Sequence, residues 1–354
     1  MSGTVKTFPE NAFYDEMKKL MDVLGKDEKV PETFGSTITS IHRIPGDAST
    51  RRYYRITSDG KSYIAMQMEA FSEHGNELPF LRVQRHLAEA KVEVPQILDM
   101  DPKRGYILLE DLGDMTLLRR LQEVSNVDVE RHLYERVIDQ LIQLQVFASP
   151  EKKPSNIQAY QLRFDHEKLM WEMNFTFEHF YNLHLKREMS TPDKKAMLDG
   201  FSEICTKLAA QPTVLAHRDF HSRNIMVSGE RLVMIDFQDA RMGPAQYDLV
   251  SLLKDSYYQL EESQIKGLIH YYIARYEAIS GKSLNRDEFF YMFDLMSVQR
   301  NFKAIGSFAS FLNRRGNATY LKYIGNTFEN IRRTLLKYPQ YSPLREGLFH
   351  YYYF

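Results

Sequence analysis

The sequence predicts an α+β protein of two lobes, a small antiparallel β lobe with one main helix and a larger lobe that is mostly α-helical. Two observations carry this prediction. Short apolar stretches separated by turn residues occupy residues 36–109, which is the pattern of antiparallel strands. Apolar residues then recur at helical spacing from residue 115 onward. A chain of 354 residues is long enough to bury a core in each lobe.

The first lobe is predicted to begin with an amphipathic helix, because apolar residues recur at helical spacing from Phe13 to Leu24 and Gly25 ends the pattern. Three strands follow, around Ile41, Tyr54 and Ile64, with turn residues between them. A helix over 79–90 and a hairpin with strands at 97–98 and 106–109 complete the lobe. We therefore expect five antiparallel strands and one main helix.

The second lobe is predicted to be helical except around one hairpin. Helical spacing of apolar residues covers 133–144, 249–253, 265–279, 287–311 and 320–337. Two short apolar runs, 224–227 and 232–235, flank a Ser-Gly-Glu turn and predict the hairpin. The predicted domains are 1–110 for the first lobe, 111–114 for a hinge and 115–354 for the second lobe.

Composition limits the class of protein. The chain has 43% hydrophobic and 26% charged residues, a formal net charge of -1 and no long basic run, so nucleic acid is not expected as a partner. Its single cysteine, Cys205, excludes an internal disulfide and is predicted to be a buried thiol. The first ten residues lack a signal pattern and no apolar run reaches eighteen residues. We expect a cytoplasmic protein without a membrane partner; the oligomeric state is not predicted.

The most informative motif is the run HRDFHSRN from His217 to Asn224, which the tripeptide IDF around Asp236 follows eleven residues later. A transferring phosphoryl group spreads negative charge over its oxygens, so an enzyme must supply cations and align an acceptor hydroxyl. Magnesium prefers oxygen ligands, which Asn224 and Asp236 provide. The motif therefore predicts phosphoryl transfer from ATP, with Mg²⁺ on these two residues and Asp219 as the catalytic residue.

Four stretches of the chain resemble a known family. They are 46–55 (GDASTRRYYR), 108–114 (LLEDLGD), 217–221 with 236–241 (HRDFH and DFQDAR), and 299–306 (QRNFKAIG). These stretches are similar to the aminoglycoside phosphotransferase family of kinase-like enzymes, and within it to the anomeric sugar kinases of peptidoglycan recycling, which phosphorylate N-acetylmuramate and N-acetylglucosamine. The resemblance implies a bilobal protein-kinase-like fold, ATP and Mg²⁺ as cofactors, and a sugar 1-phosphate as product.

The resemblance also implies where the nucleotide binds. The 46–55 stretch corresponds to the phosphate loop of a kinase, and its hydroxyls and arginines suit phosphate oxygens. Backbone groups at 110–112 are expected to bind the adenine edge. The predicted nucleotide-binding residues are Ser49, Thr50, Arg51, Arg52, Arg55, Glu110 and Leu112. Gln67 occupies the position of a common phosphate-binding lysine, so we expect an arginine of 46–55 to replace that charge.

Acceptor-binding residues are predicted on two segments, one just after Asp236 and one on a distant helix. They are Gln238, Asp239, Arg241, Arg300 and Lys303. Three cations in this set favour a neutral or anionic sugar over a polycationic aminoglycoside. Two neighbouring residues are predicted to be structural, namely His217 and Asp248, and Asp248 is expected to hold the catalytic loop in place.

Two alternative functions stay open from the sequence. The first is a kinase of another small molecule, such as an aminoglycoside, a choline-like alcohol or homoserine. The second is a non-catalytic nucleotide-binding protein, which the glutamine at position 67 suggests.

Overall fold

The computed structural model describes residues 14–15, 17–19, 37–44 and 51–353, apart from positions 73 and 76. The chain divides into two compact units. The first comprises Met1–Arg82 and Val94–Asp114, and the second comprises Val83–Glu93 and Met115–Phe354. Most of the opening helix predicted over 13–24 lies outside the described residues, although 14–15 and 17–19 are helical.

The first unit contains a five-stranded antiparallel sheet in the order β1-β2-β3-β5-β4. Its strands are β1 (Ile38–Ile44), β2 (Arg52–Ser58), β3 (Lys61–Gln67), β4 (Ile97–Asp101) and β5 (Tyr106–Glu110). Helix α1 (Pro79–Glu89) lies between β3 and β4 along the chain, and its residues from Val83 onward belong to the second unit. The predicted small antiparallel sheet is therefore confirmed, whereas most of the helix expected to complete the first lobe belongs to the second unit.

An apolar core lies on one face of this sheet. Side chains alternate across a strand, so Ile56 of β2, Ala65 of β3 and Leu108 of β5 share a face. All three are buried, and they belong to one cluster with Tyr14 and Met17 of the opening helix. Burial of this face fixes the strand register, because a shift of one residue would turn the apolar side chains to the other face.

An ion pair joins β2 to the segment that follows β5. Arg55 Nε and Nη2 donate to the two carboxylate oxygens of Asp111 at 2.7 and 3.0 Å, and Arg55 also pairs with the exposed Asp114. Burial raises the pKa of Asp111, but hydrogen bonds from Arg55, Ser62 and the Gly113 backbone outweigh burial and lower it. The predicted hinge is therefore tied to the sheet of the first unit.

Gln67 at the end of β3 is bound by two tyrosines. It lies opposite Arg52 in the register of β2 and β3. Its amide accepts a hydrogen bond from the Tyr54 hydroxyl at 3.5 Å and donates one to the Tyr106 hydroxyl at 2.9 Å. An amide can donate and accept at the same time, whereas a lysine can only donate. These two hydrogen bonds are therefore a structural reason for a glutamine rather than a lysine at position 67.

The second unit is mostly helical in the part that the structure describes. Its helices are α2 (Leu117–Glu123), α3 (Val127–Phe147), α4 (His166–Thr176), α5 (Thr191–Ala209), α6 (Gln246–Leu253), α7 (Glu262–Ser280), α8 (Arg286–Arg315), α9 (Ile324–Leu335) and α10 (Ser342–Tyr353). A π-helix, Phe177–His184, continues α4. None of the described helices is both long and apolar enough to cross a membrane.

Two strand pairs interrupt the helices of the second unit. Strand β6 (Thr213–Ala216) pairs with β9 (Arg241–Pro244), and β7 (Ile225–Ser228) pairs with β8 (Arg231–Met234). The hairpin predicted from the runs 224–227 and 232–235 is confirmed as β7–β8. Strand β9 is not predicted by the sequence, because its Gly-Pro end is typical of a turn.

Helices α4 and α8 pack closely against each other. Asn285 caps the N-terminus of α8 with its side chain, and Gly316 ends the helix in the left-handed conformation with φ of 65°. Gly306 permits the close approach, because a Cβ there would run into Thr176 of α4. The Thr176 hydroxyl also donates to the backbone carbonyl of Phe302 at 3.0 Å. This contact fixes the part of α8 that carries Arg300 and Lys303.

The single cysteine of the chain lies inside the second unit. Cys205 of α5 is fully buried, and burial raises the pKa of its thiol to about 12. The prediction of a buried thiol is confirmed.

Candidate active site

The catalytic loop, residues 217–224, begins directly after β6 and ends at β7. Its backbone is held in an uncommon conformation, since Arg218 has a φ of 83°. The Asp248 carboxylate on α6 accepts hydrogen bonds from the backbone N–H groups of His217 at 2.6 Å and Arg218 at 2.9 Å. Asp248 is buried, and burial raises its pKa to about 6. Asp248 therefore has the loop-holding role that the sequence predicts.

Two further contacts fix the catalytic loop. His217 is buried, and its ring Nε2 lies 3.0 Å from the backbone carbonyl oxygen of Ile235. Ser222 donates to the Asp255 carboxylate through its backbone N–H at 3.0 Å and its hydroxyl at 2.6 Å. His217 therefore joins the loop to the residue before Asp236, which is a structural role as predicted.

Two cations of α8 lie beside Asp219. Its Oδ1 is 3.3 Å from Nζ of Lys303 and 3.5 Å from a guanidinium nitrogen of Arg300. Burial raises the pKa of Asp219, but the charges of Lys303, Arg300 and Arg218 outweigh burial and hold the pKa well below its usual range. The side chain is 27% exposed, so the ionised carboxylate is accessible to a ligand. It is suited to accept a hydrogen bond from a hydroxyl at neutral pH.

Asn224 and Asp236 lie next to each other at the two ends of the β7–β8 hairpin. Asn224 Nδ2 donates to the backbone oxygen of Asp219 at 3.0 Å and to Oδ2 of Asp236 at 3.5 Å. In this orientation Asn224 Oδ1 has no donor among the described residues. Asp236 is exposed and has a φ of 66°, a conformation that non-glycine residues rarely adopt and that clusters at functional sites.

This oxygen pair fits a hard divalent cation that has further ligands from a substrate. Such an ion is commonly held by one or two protein oxygens together with phosphates and water. No group of three His, Cys, Asp or Glu side chains placed to hold a metal occurs in the described ranges. These two oxygens could therefore hold a cation only together with ligands from outside the protein.

The segment after Asp236 brings three predicted residues beside the catalytic loop. Gln238 Nε2 donates to Oδ1 of Asp236 at 2.7 Å. Asp239 forms an ion pair with Arg218 at 3.1 Å. Arg241 is the first residue of β9 and pairs in register with the last residue of β6, immediately before the loop. The proximity of this segment to Asp219 follows from the pairing of β6 with β9.

Sequence reasoning missed Glu172 of α4. Its side chain is 1% exposed, and its Oε2 accepts a hydrogen bond from Gln299 Nε2 at 3.0 Å. Its Oε1 has no hydrogen-bond partner in the described part of the chain and lies 3.9 Å from Nζ of Lys168. Gln299 is one turn before Lys303 on the same face of α8, so the pair lies towards Asp219. The only sequence signal is a carboxylate among apolar residues of α4, which is rarely buried without a partner.

The predicted nucleotide-binding arginines lie in the first unit. The Arg51 guanidinium is 5.5 Å from the centre of the Phe80 ring. Arg52 is exposed at the start of β2, whereas Arg55 is bound to Asp111. The predicted residues Ser49 and Thr50 lie outside the described residues.

The predicted adenine-binding segment begins at Glu110, the last residue of β5. Glu110 N–H donates to the Gln96 carbonyl at 3.0 Å, and its side chain accepts from the Gln96 N–H at 2.8 Å. The Leu112 side chain is buried, and the backbone of Leu112 makes no hydrogen bond with the protein in the described part of the chain. The hydrogen-bonding capacity of the Leu112 backbone is therefore not used by the described residues.

We expect Asp248→Ala to lower the free energy of unfolding by about 2–4 kcal/mol, because two buried backbone N–H groups lose their acceptor. Asp248→Asn retains one acceptor oxygen and should lose less. Thermal unfolding followed by circular dichroism measures the change. Asp199→Ala is the control, since Asp199 is exposed and pairs only with Lys195 on the same helix. Equal melting temperatures for Asp248→Ala and the control would contradict the loop-holding role.

Two bacterial proteins resemble the chain over most of its length. The N-acetylmuramate/N-acetylglucosamine kinase of Neisseria meningitidis is 33% identical over 301 residues, which cover 84% of this chain and 86% of that protein. The enzyme of the same name from Pseudomonas putida is 33% identical over 312 residues, which cover 87% of each.

Solved structures share the fold at low sequence identity. The choline kinase of Cryptosporidium parvum has a TM-score of 0.59 at 12% identity, covering 94% of this chain and 99% of that one. A choline/ethanolamine kinase family protein from Mesorhizobium loti has a TM-score of 0.58 at 14% identity, covering 95% and 98%. The predicted protein-kinase-like α+β fold is therefore confirmed.

A match to one protein family runs from the first strand to the end of α7. It covers residues 40–281, which is more than half of the chain. The chain therefore belongs to the phosphotransferase enzyme family.

Proposed function

We propose that the protein is an ATP-dependent sugar kinase that phosphorylates the anomeric hydroxyl of N-acetylmuramate or N-acetylglucosamine and releases a sugar 1-phosphate. The observation that carries the proposal is the ionised Asp219 beside Lys303 and Arg300, next to the oxygen pair of Asn224 and Asp236. The sugar comes from the names of relatives that are 33% identical.

In this proposal Asp219 positions the acceptor hydroxyl. Phosphoryl transfer passes through a loose transition state, so the hydroxyl proton needs to leave only late. A carboxylate of low pKa then contributes mainly by accepting a hydrogen bond and aligning the hydroxyl oxygen. Lys303 and Arg300 keep Asp219 ionised, and both are placed to offset negative charge that develops nearby.

Asn224 Oδ1 and the Asp236 carboxylate are the proposed ligands of Mg²⁺, together with phosphate oxygens of the nucleotide. When bound, the ion supplies positive charge to those oxygens. Gln238 orients the Asp236 carboxylate through its hydrogen bond to Oδ1. The hydrogen bond from Asn224 to the Asp219 backbone keeps the amide oxygen free for the ion.

On the nucleotide side, Arg52 is the proposed replacement for the lysine that position 67 lacks. Arg52 is exposed and stands opposite Gln67, whereas Arg55 is bound to Asp111. The free backbone groups of Leu112 support its proposed contact with the adenine edge. Glu110, whose N–H already donates to Gln96, would contribute through its carbonyl only.

The charge around Asp219 argues against a cationic acceptor such as choline or an aminoglycoside. Five cations lie in this region, Lys168, Arg218, Arg241, Arg300 and Lys303, and two of them, Arg300 and Lys303, lie directly against the carboxylate that would receive the acceptor hydroxyl. A positively charged substrate would meet like charge that burial strengthens. A neutral or anionic sugar meets no such penalty.

Asp219→Asn and Asp236→Asn should each lower kcat by about 10²-fold or more while the fold is kept, because they remove the hydroxyl acceptor and a cation ligand. A coupled ADP-release assay with Mg²⁺, ATP and N-acetylglucosamine measures the loss. Asp199→Asn, which changes an exposed carboxylate away from the loop, should retain wild-type activity. Turnover at the wild-type rate in either loop variant would remove that residue from the mechanism.

The pH dependence should follow from the cations around Asp219. Because they hold its pKa well below the usual range, wild-type kcat/KM should show no acid limb from Asp219 above about pH 4.5. Lys303→Met removes the charge that lowers the pKa of Asp219 most. The pKa of Asp219 should therefore rise, and an acid limb of the kcat/KM profile should move into the measurable range. Profiles for the wild type, Lys303→Met and the exposed control Lys195→Met test this. A Lys303→Met profile of wild-type shape would disprove that the Lys303 charge keeps Asp219 ionised.

The position of the phosphate on the sugar tests the proposed product. Phosphorus NMR of the product should show a 1-phosphate, which is a glycosyl ester and therefore more labile to acid than a 6-phosphate. The methyl glycoside of N-acetylglucosamine, whose anomeric oxygen is blocked, should not react. A 6-phosphate product, or undiminished activity on the methyl glycoside, would overturn the anomeric assignment. The absence of Mg²⁺-dependent turnover with any sugar would overturn the sugar kinase itself.

A further inference from the structure

Arg241 is a half-buried cation without an acidic partner. It forms no ion pair and no side-chain hydrogen bond in the described ranges, and its Nε is buried without an acceptor. Its guanidinium instead lies 5.2 Å from the centre of the Phe164 ring. Burial lowers the pKa of Arg241, and the neighbouring charge of Arg218 lowers it further. A charge in such surroundings costs stability unless something outside the chain pairs with it.

The neighbouring cations differ from Arg241 because each contacts a carboxylate, whereas Glu172 and Asp239 act on Arg241 only from beyond ion-pair distance in the described ranges. Arg218 pairs with Asp239 at 3.1 Å, and Lys168 lies 3.9 Å from Glu172. Arg300 and Lys303 share Asp219. Of these five cations, Arg241 is therefore the one that no carboxylate of the described residues contacts.

The position of Arg241 connects it to the acceptor side of the site. Arg241 pairs with Ala216 across β6 and β9, and Asp219 follows Ala216 by three residues. The Phe164 ring, which carries the Arg241 guanidinium, stacks on the Tyr247 ring at 4.0 Å. The Arg300 guanidinium lies 5.9 Å from the centre of that same Tyr247 ring. The two guanidinium groups therefore bracket one pair of stacked rings.

Other polar groups in this neighbourhood also lack partners. Among the described residues, the Tyr247 hydroxyl, Glu172 Oε1 and Gln299 Oε1 are buried without a hydrogen-bond partner. Such groups are exceptions that call for an explanation, and an unpaired guanidinium suits a carboxylate.

We propose that Arg241 binds the carboxylate of an acidic amino sugar, so that this site prefers N-acetylmuramate to N-acetylglucosamine. The two sugars differ by a lactyl ether on C3, two ring atoms from the anomeric carbon, and this ether ends in a carboxylate. A planar guanidinium can bind both oxygens of that carboxylate. The inference rests on the proposed function and adds the residue that selects between the two sugars.

The decisive comparison is between N-acetylmuramate and its lactyl amide, which has the same bulk without the charge. Wild-type kcat/KM should favour the acid at least tenfold. In Arg241→Met this ratio should approach one, and Arg241→Lys, which keeps the charge, should retain part of it. Arg314→Met is the matched control, because Arg314 also lies over a phenylalanine ring, Phe175, at 5.3 Å but belongs to the far end of α8; its ratio should equal that of the wild type.

A second readout separates ligand binding from packing. Since the Arg241 charge has no ion-pair contact in the described ranges, Arg241→Met should keep or raise the melting temperature. A lower melting temperature with an unchanged acid-to-amide ratio would make Arg241 a packing residue and overturn the inference. A wild type that phosphorylates both sugars without preferring the acid would overturn it too, while the sugar kinase stands. A wild type that phosphorylates neither sugar would overturn both proposals.

Discussion

The site depends on keeping one partly buried carboxylate ionised. Burial alone would favour the neutral form of Asp219, and only the cations around it reverse that preference. Two of these cations, Arg300 and Lys303, come from α8, more than eighty positions along the chain from Asp219. The protonation state of Asp219 therefore depends on where α8 packs against α4. The close contact of Gly306 with Thr176 sets this packing.

The sequence predicts most of the fold and the centre of the site because the relevant patterns are local. The β7–β8 hairpin brings Asn224 and Asp236 together within twelve residues, so spacing alone identifies them. The sequence does not single out Glu172, because its hydrogen bond with Gln299 forms only when α4 packs against α8. The sequence offers three arginines in 46–55 with no means of ranking them, since Asp111, which binds Arg55, lies 56 residues away.

Two residues of the site have strained backbones. Arg218 and Asp236 both have left-handed backbones, and each is held there by contacts from other elements. Asp248 holds the first, and the contact of His217 with Ile235 holds the residue before the second. Sequence patterns do not reveal such conformations, because the residue types involved tolerate them only where tertiary contacts impose them. The one related prediction from the sequence is that Asp248, in the first turn of α6, holds the catalytic loop in place.

The burial of Cys205 makes this thiol a reporter on the packing of the second unit. A thiol whose pKa is raised to about 12 carries little thiolate at neutral pH, and reagents reach it only when α5 separates from its neighbours. The Phe201 ring, one turn away on α5, stacks at 4.5 Å on Phe302 of α8, which stands between Arg300 and Lys303 in the chain. Because the chain has no other cysteine, the rate of labelling by a thiol reagent would measure how often α5 separates from its neighbours, among them α8, the helix that carries Arg300 and Lys303.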